Sequence, residues 1–279
     1  MNGVSLPIAF CKMSGAGNDF LVIDHRTPLI AQERMAEFAR LVCRRRFSVG
    51  ADGLFLVEPS ATADFRWRFF NADGSEAEMC GNGARCVARF AYMHGIAPER
   101  MRFETLAGVI EAMVTGNQVT IGMTAPHSLR LDFEVEVLGQ RCTVHSVNTG
   151  VPHLVVFVDD LDGTDVDGLG RTLRFHPLFA PAGTNVNFVG RSKGGFAVRT
   201  YERGVETETL ACGTGVTAAA LIAAARGLVA SPVAITTRGG ATLVVRFSGS
   251  GQGPFTQVEL EGPAHLIYRG ELNAEALIA

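Results

Sequence analysis

The chain contains the same pattern twice. Glu78-Met79-Cys80-Gly81-Asn82-Gly83 and Leu210-Ala211-Cys212-Gly213-Thr214-Gly215 both read x-x-Cys-Gly-x-Gly, at an offset of 212 − 80 = 132. At that offset Phe69 falls on Tyr201, each closing an alternating run: Phe65-x-Trp67-x-Phe69 and Ala197-x-Arg199-x-Tyr201. Glu76 likewise falls on Glu208. Further upstream the offset is 183 − 50 = 133, which sets Gly50-Ala51-Asp52 on Gly183-Thr184-Asn185. It also sets Gly17, with Leu21-Val22 behind it, on Gly150, with Leu154-Val155 behind it. Landmarks in one order, at offsets differing by one, mark a duplicated domain with halves of about 130 residues. A length of 279 residues fits two such halves.

Each half has the same grammar. A Gly-rich loop runs into an apolar strand, Leu21–Ile23 or Leu154–Val158. In the first half Met35, Phe38, Ala39, Val42 and Cys43 then recur with the spacing of one helix face. Alternating strands, a polar loop and the Cys-Gly-x-Gly turn follow. Behind each turn a second helix is predicted, over Ala84–His94 and over Val216–Arg226. Pro126, within Met123–Leu129, marks the linker. The class is mixed α+β with many short strands.

Each repeated cysteine thus sits at or just before a helix N-terminus. Unpaired N–H groups and partial positive charge there favour a bound carboxylate, and glycines let it approach. The same field favours a thiolate over a thiol. If the halves face each other across a pseudo-twofold axis, Cys80 and Cys212 would flank one carbon from opposite sides. Inverting a stereocentre by proton transfer needs that: a base on one face and an acid on the other. Either cysteine alone reads as a small buried residue; the repeat-related pair carries the functional reading. Cys11, Cys43, Cys86 and Cys142 lie in apolar patterns and read as core.

Other chemistries fit poorly. The net charge of −3 gives no general attraction to nucleic acid or to an anionic membrane. The longest nearly apolar stretch, Val216–Val229, is too short for a bilayer span. The first residues lack a signal-peptide pattern, so the expectation is a cytoplasmic protein with free thiols. No C-x-x-C, no GxxxxGK[ST] and no strand-to-helix GxGxxG occurs. Lys12 and Lys193 are the only lysines, so a Schiff-base enzyme would have two candidates. The expectation is a reaction with no cofactor and no metal.

Longer runs carry a resemblance. They are Gly15-Ala16-Gly17-Asn18-Asp19-Phe20, Gly50-Ala51-Asp52-Gly53, and Phe70-Asn71-Ala72-Asp73-Gly74-Ser75 with Met79-Cys80-Gly81-Asn82-Gly83-Ala84-Arg85-Cys86. The second half adds Gly150-Val151-Pro152-His153, Asn185-Val186-Asn187-Phe188, Tyr201-Glu202-Arg203-Gly204 and Ala211-Cys212-Gly213-Thr214-Gly215. Over nearly its whole length the chain resembles the diaminopimelate epimerases. These PLP-independent isomerases interconvert LL- and meso-2,6-diaminopimelate in lysine and peptidoglycan precursor synthesis.

The resemblance implies two pseudo-symmetric lobes, each a curled, mainly antiparallel sheet around a central helix. They are placed at 1–124, joined by a returning strand in 266–279, and at 125–265. It implies Cys80 and Cys212 as the acid/base pair. It implies Gly81-Asn82 and Gly213-Thr214 as the cradle of the reacting carboxylate. Asn18, Asn71, Asn187 and Arg203 match positions that hold the distal amino-acid end; Glu202 and His153 match polar residues near the thiols. A small-molecule substrate and a homodimer are implied, with no nucleic-acid or membrane partner. The roles suit the substrate, because every charge of a buried zwitterion must be paired. Two positions depart from the common pattern. Val151 stands where many members have Asn, which removes an amide contact to the distal end, and Gly53 where some have Gln.

Three alternatives stay open. One is a PLP-independent racemase or epimerase of proline, hydroxyproline or histidine type on the same scaffold. Another is a cysteine-nucleophile hydrolase pairing Cys80 or Cys212 with His153. The last is a metabolite-binding scaffold without catalysis.

Overall fold

The computed structural model describes residues 3–192, 195–251 and 253–278; Lys193 lies outside them. In chain order the elements begin β1 (Ile8–Gly15), β2 (Asn18–Asp24), α1 (Met35–Val42), β3 (Gly53–Glu58), β4 (Phe65–Asn71) and α2 (Gly81–Met93). Next come β5 (Arg100–Thr105), β6 (Gly108–Thr115), β7 (Gln118–Gly122), β8 (His127–Val137), β9 (Gln140–Asn148) and β10 (Pro152–Phe157). They continue with α3 (Val166–Arg174), β11 (Asn185–Ser192), β12 (Gly195–Glu202), β13 (Thr207–Thr209) and α4 (Gly213–Ala225). The last are β14 (Val233–Thr237), β15 (Thr242–Ser248), β16 (Thr256–Pro263) and β17 (His265–Leu272). Two compact units result: one ends at Ile121 and resumes at Pro263, the other is Gly122–Gly262.

In the first unit the strands pair in the order β17-β1-β2-β3-β4-β5-β6-β7. The pairs β2/β3 and β4/β5 are parallel, and the others antiparallel. In the second unit the order is β8-β9-β10-β11-β12-β14-β15-β16, with β10/β11 and β12/β14 parallel. The two sequences of parallel and antiparallel steps are the same, so the repeat is a repeat of topology. Each parallel step needs a crossover, and each crossover carries a helix.

The helices cover opposite faces of their sheet. In the first unit Leu21, Ile23, Leu54, Leu56 and Phe70 pack with Met35, Phe38 and Val42 of α1. Phe20, Phe55 and Phe69 point the other way and stack together, with Phe55 and Phe69 rings 4.3 Å apart. α2 lies on that side. Covered on both faces, β3 is buried at every residue, which explains its unbroken Leu54-Phe55-Leu56-Val57 run. α4 packs against β9, β10, β11, β12, β14 and β15. Surrounded in this way it is apolar all round and rich in alanine, from Val216 to Ala224.

The second glycine of each motif has a packing reason. A Cβ on Gly83 would stand 2.2 Å from Cζ of Phe55, and one on Gly215 would stand 2.3 Å from Oδ1 of Asn187. The pairs keep the repeat, since 215 − 83 and 187 − 55 are both 132. Each central helix therefore starts pressed against β3 or β11, with no room for a side chain at that point.

Several expectations change. α2 and α4 each begin three residues before the predicted start, at Gly81 and Gly213, so the glycines of the motifs are inside the helices. α3 has no counterpart in the predicted elements. Its Asp165 cap accepts from the Gly168 N–H, and Gly170 lets Tyr201 approach to 2.5 Å of a would-be Cβ. Cys11, Cys43 and Cys86 are buried as expected, whereas Cys142 is only half-buried on β9. The segment Met123–Leu129 already enters β8 at His127.

Candidate active site

Cys80 is the N-cap of α2, in extended backbone, and its Sγ accepts the Gly83 N–H at 3.4 Å. That places the thiol where Ser, Asp or Asn commonly caps a helix, against unpaired N–H groups and the positive end of the dipole. Cys212 is the N-cap of α4; it is buried, and its Sγ lies 3.4 Å from the Thr214 hydroxyl. Gly81 and Asn82, and Gly213 and Thr214, are the first two residues of their helices, so their N–H groups have no acceptor within the helix itself. The Thr149 hydroxyl holds the Thr214 carbonyl at 3.0 Å and fixes the first turn of α4.

Asn18 joins Cys80's neighbourhood. It opens β2 after the hairpin at Ala16 and Gly17, both at positive φ. Its Nδ2 donates to Asp52 at 2.9 Å, and its Oδ1 accepts from Asn82 at 2.7 Å. Asp52 and Asp19 are in turn clamped by Arg45, and Asp19 also pairs with Lys12 at 2.6 Å. Asn71 ends β4 opposite Gly53, beside Ala72, whose N–H donates to the Asp52 carbonyl at 3.0 Å; the Asn71 Nδ2 donates to Ser75 at 3.0 Å across the Asp73-Gly74 turn.

In the second unit Asn187 is completely buried and its amide is fully engaged. Its Nδ2 donates to the Leu154 carbonyl at 2.8 Å and to Nδ1 of His153 at 3.1 Å. Its Oδ1 accepts from the Thr200 hydroxyl at 3.0 Å. The structure therefore gives Asn187 a different place from the distal-end contact expected of it. It stands where Phe55 stands in the other half, supporting the start of α4. Asn185 at the beginning of β11 is the amide beside Arg203: its Oδ1 accepts the Arg203 backbone N–H at 2.8 Å. The Arg203 guanidinium donates to the Ala182 carbonyl at 3.1 Å.

His153 is sealed in, at 1% exposure. Burial and the nearby Arg203 charge hold its pKa down to about 3, so it is neutral. Because Asn187 can only donate through Nδ2, Nδ1 is the acceptor and Nε2 carries the proton. Nε2 has no partner among the described residues. A ring whose basic nitrogen is occupied offers a hydrogen bond and cannot accept a proton there, which argues against a cysteine–histidine nucleophile pair. Glu202 has its pKa raised by burial, opposed by the Thr209 hydroxyl that donates to it at 2.9 Å. Among the described residues no group of His, Cys, Asp and Glu is arranged to hold a metal ion. Nor is any helix among them long and apolar enough to cross a membrane.

The profile of the diaminopimelate epimerase family matches residues 10–129 and 145–265. A diaminopimelate epimerase of a Hydrogenobaculum species is 46% identical over 95% of this chain and 98% of its own length. One of Aquifex aeolicus is 47% identical over 96% and 99%. Among solved structures, a PhzF-family phenazine biosynthesis protein of Bacillus anthracis covers 96% of this chain and 99% of its own at TM-score 0.71 and 16% identity. A probable proline racemase of Agrobacterium radiobacter covers 96% and 93% at TM-score 0.69 and 17% identity. Those two likenesses speak for the fold alone. A repeated fold with a cysteine capping each central helix, together with a family match over both halves, establishes that the chain belongs to the diaminopimelate epimerase family.

Proposed function

We propose that the chain interconverts LL- and meso-2,6-diaminopimelate by moving one Cα proton, with Cys80 and Cys212 as base and acid. The observation that carries this is the capping of both central helices by a cysteine at equivalent places in the repeat. A thiolate takes the Cα proton and becomes a thiol. The other thiol gives its proton to the opposite face of the resulting carbanion and becomes a thiolate. The reverse reaction starts from this swapped state, and exchange of the thiol protons with solvent restores the first state for another forward turnover. No redox partner is consumed, and the helix N–H groups at Gly81-Asn82 and Gly213-Thr214 offset charge developing on the adjacent carboxylate.

Asn18, Asn71 and Arg203 are the side chains suited to the distal ammonium and carboxylate, with Glu202 and the His153 Nε2–H as polar lining. In this reading the enzyme is cytoplasmic and supplies lysine and peptidoglycan precursors. It is also a homodimer; among the described strands β17 pairs only with β1 and exposes Ile267 and Tyr268. Light scattering should give twice the chain mass.

The test is epimerisation of LL-diaminopimelate without added PLP or metal. Wild type should form the meso isomer, and Cys80→Ala and Cys212→Ala should each lose it. An active single variant would refute the two-thiol mechanism. Activity on proline or histidine instead would move the assignment within the scaffold.

A further inference from the structure

Arg85 is among the largest fully buried side chains of the described residues, at 0% exposure, one turn into α2 from Cys80. Its partners are neutral. One terminal nitrogen donates to Oδ1 of Asn82 at 2.6 Å, the other to the Gly81 carbonyl at 3.4 Å. Its Nε has no partner, and no carboxylate lies within ion-pair distance of it among the described residues. A buried guanidinium without an anion is costly, so a folded protein that keeps one has a use for the charge.

Two consequences follow from that geometry. The guanidinium can only donate, so it fixes Asn82 with Oδ1 toward Arg85 and Nδ2 toward Asn18. Asn18 is then fixed with Oδ1 toward Asn82 and Nδ2 toward Asp52. A one-way relay of amides runs from the cation to the carboxylate, and the Asn18 Nδ2 keeps a second hydrogen beyond the one given to Asp52. Cys86 and Cys80 are the ionisable neighbours of the cation, and a thiolate there would offset the cost of its burial.

We propose that Arg85 is a positioning residue for the epimerisation: its buried charge favours the thiolate of Cys80, and its fork orients the Asn82–Asn18 relay that receives substrate. The inference rests on the reading of Cys80 as a reactive thiol. The other ionisable groups packed around α2 are engaged elsewhere. Lys12 pairs with Asp19, Asp52 with Arg45, Asp24 with Arg26, and Glu58 with His25 and Arg66. Glu111 of β6 faces Arg102, Cys11 touches His94, and Arg89 donates to the Ala264 carbonyl. Cys86 is fully buried and its thiol is pushed up to about 12.

The experiment follows alkylation by iodoacetamide against pH, resolved to the Cys80 and Cys86 peptides by mass spectrometry. It uses wild type, Arg85→Gln and Arg85→Lys, with circular dichroism to confirm folding. Arg85→Gln should raise the pH midpoint for Cys80 by at least about one unit. Arg85→Lys keeps the charge but not the fork; it should leave the midpoint in place and raise KM several-fold more than it lowers kcat. An unchanged midpoint in Arg85→Gln overturns the inference. If that variant does not fold, a Lys variant with wild-type KM, or with a shifted midpoint, overturns it instead. Should Cys80 of wild type prove no more reactive at pH 7 than Cys86, the two-thiol reading itself falls.

Discussion

Acid should destabilise this protein partly through one histidine. His153 is enclosed, and its Nδ1 faces an amide that can only donate. Protonation would set N–H against N–H and place a charge in a site already near Arg203. Its pKa is held down to about 3, against 6.5 for an exposed imidazole. The folded pKa is the depressed one, so the unfolded chain takes up the proton first. The group costs nothing above about pH 7.5, and stability is lost as pH falls from 6.5 toward 3. The whole window is 6.5 − 3 = 3.5 pKa units, or at most about 5 kcal/mol. Between pH 7.5 and 5 the unfolded-state proton uptake amounts to about 2 kcal/mol. Urea unfolding of wild type and His153→Gln at both pH values measures it. The stability difference between the two proteins should shift by about 2 kcal/mol against wild type on acidification. A shift below about 0.5 kcal/mol, or a His153 C2-proton resonance that titrates between pH 6 and 7, would refute the reasoning.

Three further outcomes are expected. Gly83→Ala and Gly215→Ala should each cost about 1–3 kcal/mol in urea unfolding, because the new methyl meets Phe55 or Asn187; Phe55→Leu should recover part of the first loss. Asn187→Leu should cost about 2–4 kcal/mol, since it strands the Thr200 hydroxyl, the Leu154 carbonyl and His153 at once. Cys43 and Cys86, both pushed up to about 12 by burial, should resist iodoacetamide at pH 8 in the folded protein and react in urea.

The repeat, the central helices and the paired cysteines were legible because they depend on spacing, and spacing survives in one dimension. Glycine lowers helix propensity, so the sequence predicts the helix starts too late; in this fold Gly83 and Gly215 are inside the first turn because β3 and β11 leave no space there. α3 escaped for a related reason, with Gly168 and Gly170 breaking its apolar pattern. Asn187 shows the limit of reading polarity. An asparagine in a strand looks the same whether it meets substrate or a neighbouring backbone. Offsets of 133 before β3 and 132 after it leave the partner of Phe55 open between Asn187 and Phe188 in sequence, and only the contacts of Gly83 and Gly215 set Asn187 on Phe55, which is wholly enclosed. Arg45 and Arg85 were also hidden. In sequence one stands in the run Arg44-Arg45-Arg46 and the other in the helix predicted over Ala84–His94, and only three dimensions give one two carboxylates and the other none.

The central claim is that two thiols work on opposite faces of one Cα. It is tested most directly by running the LL isomer in deuterium oxide and analysing both isomers at a few per cent conversion. A thiol holds one exchangeable proton, so the abstracting cysteine retains the substrate's protium while the opposite cysteine delivers deuterium. The account predicts deuterium at the inverted centre of the meso product and almost none in recovered LL substrate. Protium carried into the product, or deuterium appearing equally in both isomers from the start, would mean that a single base serves both faces.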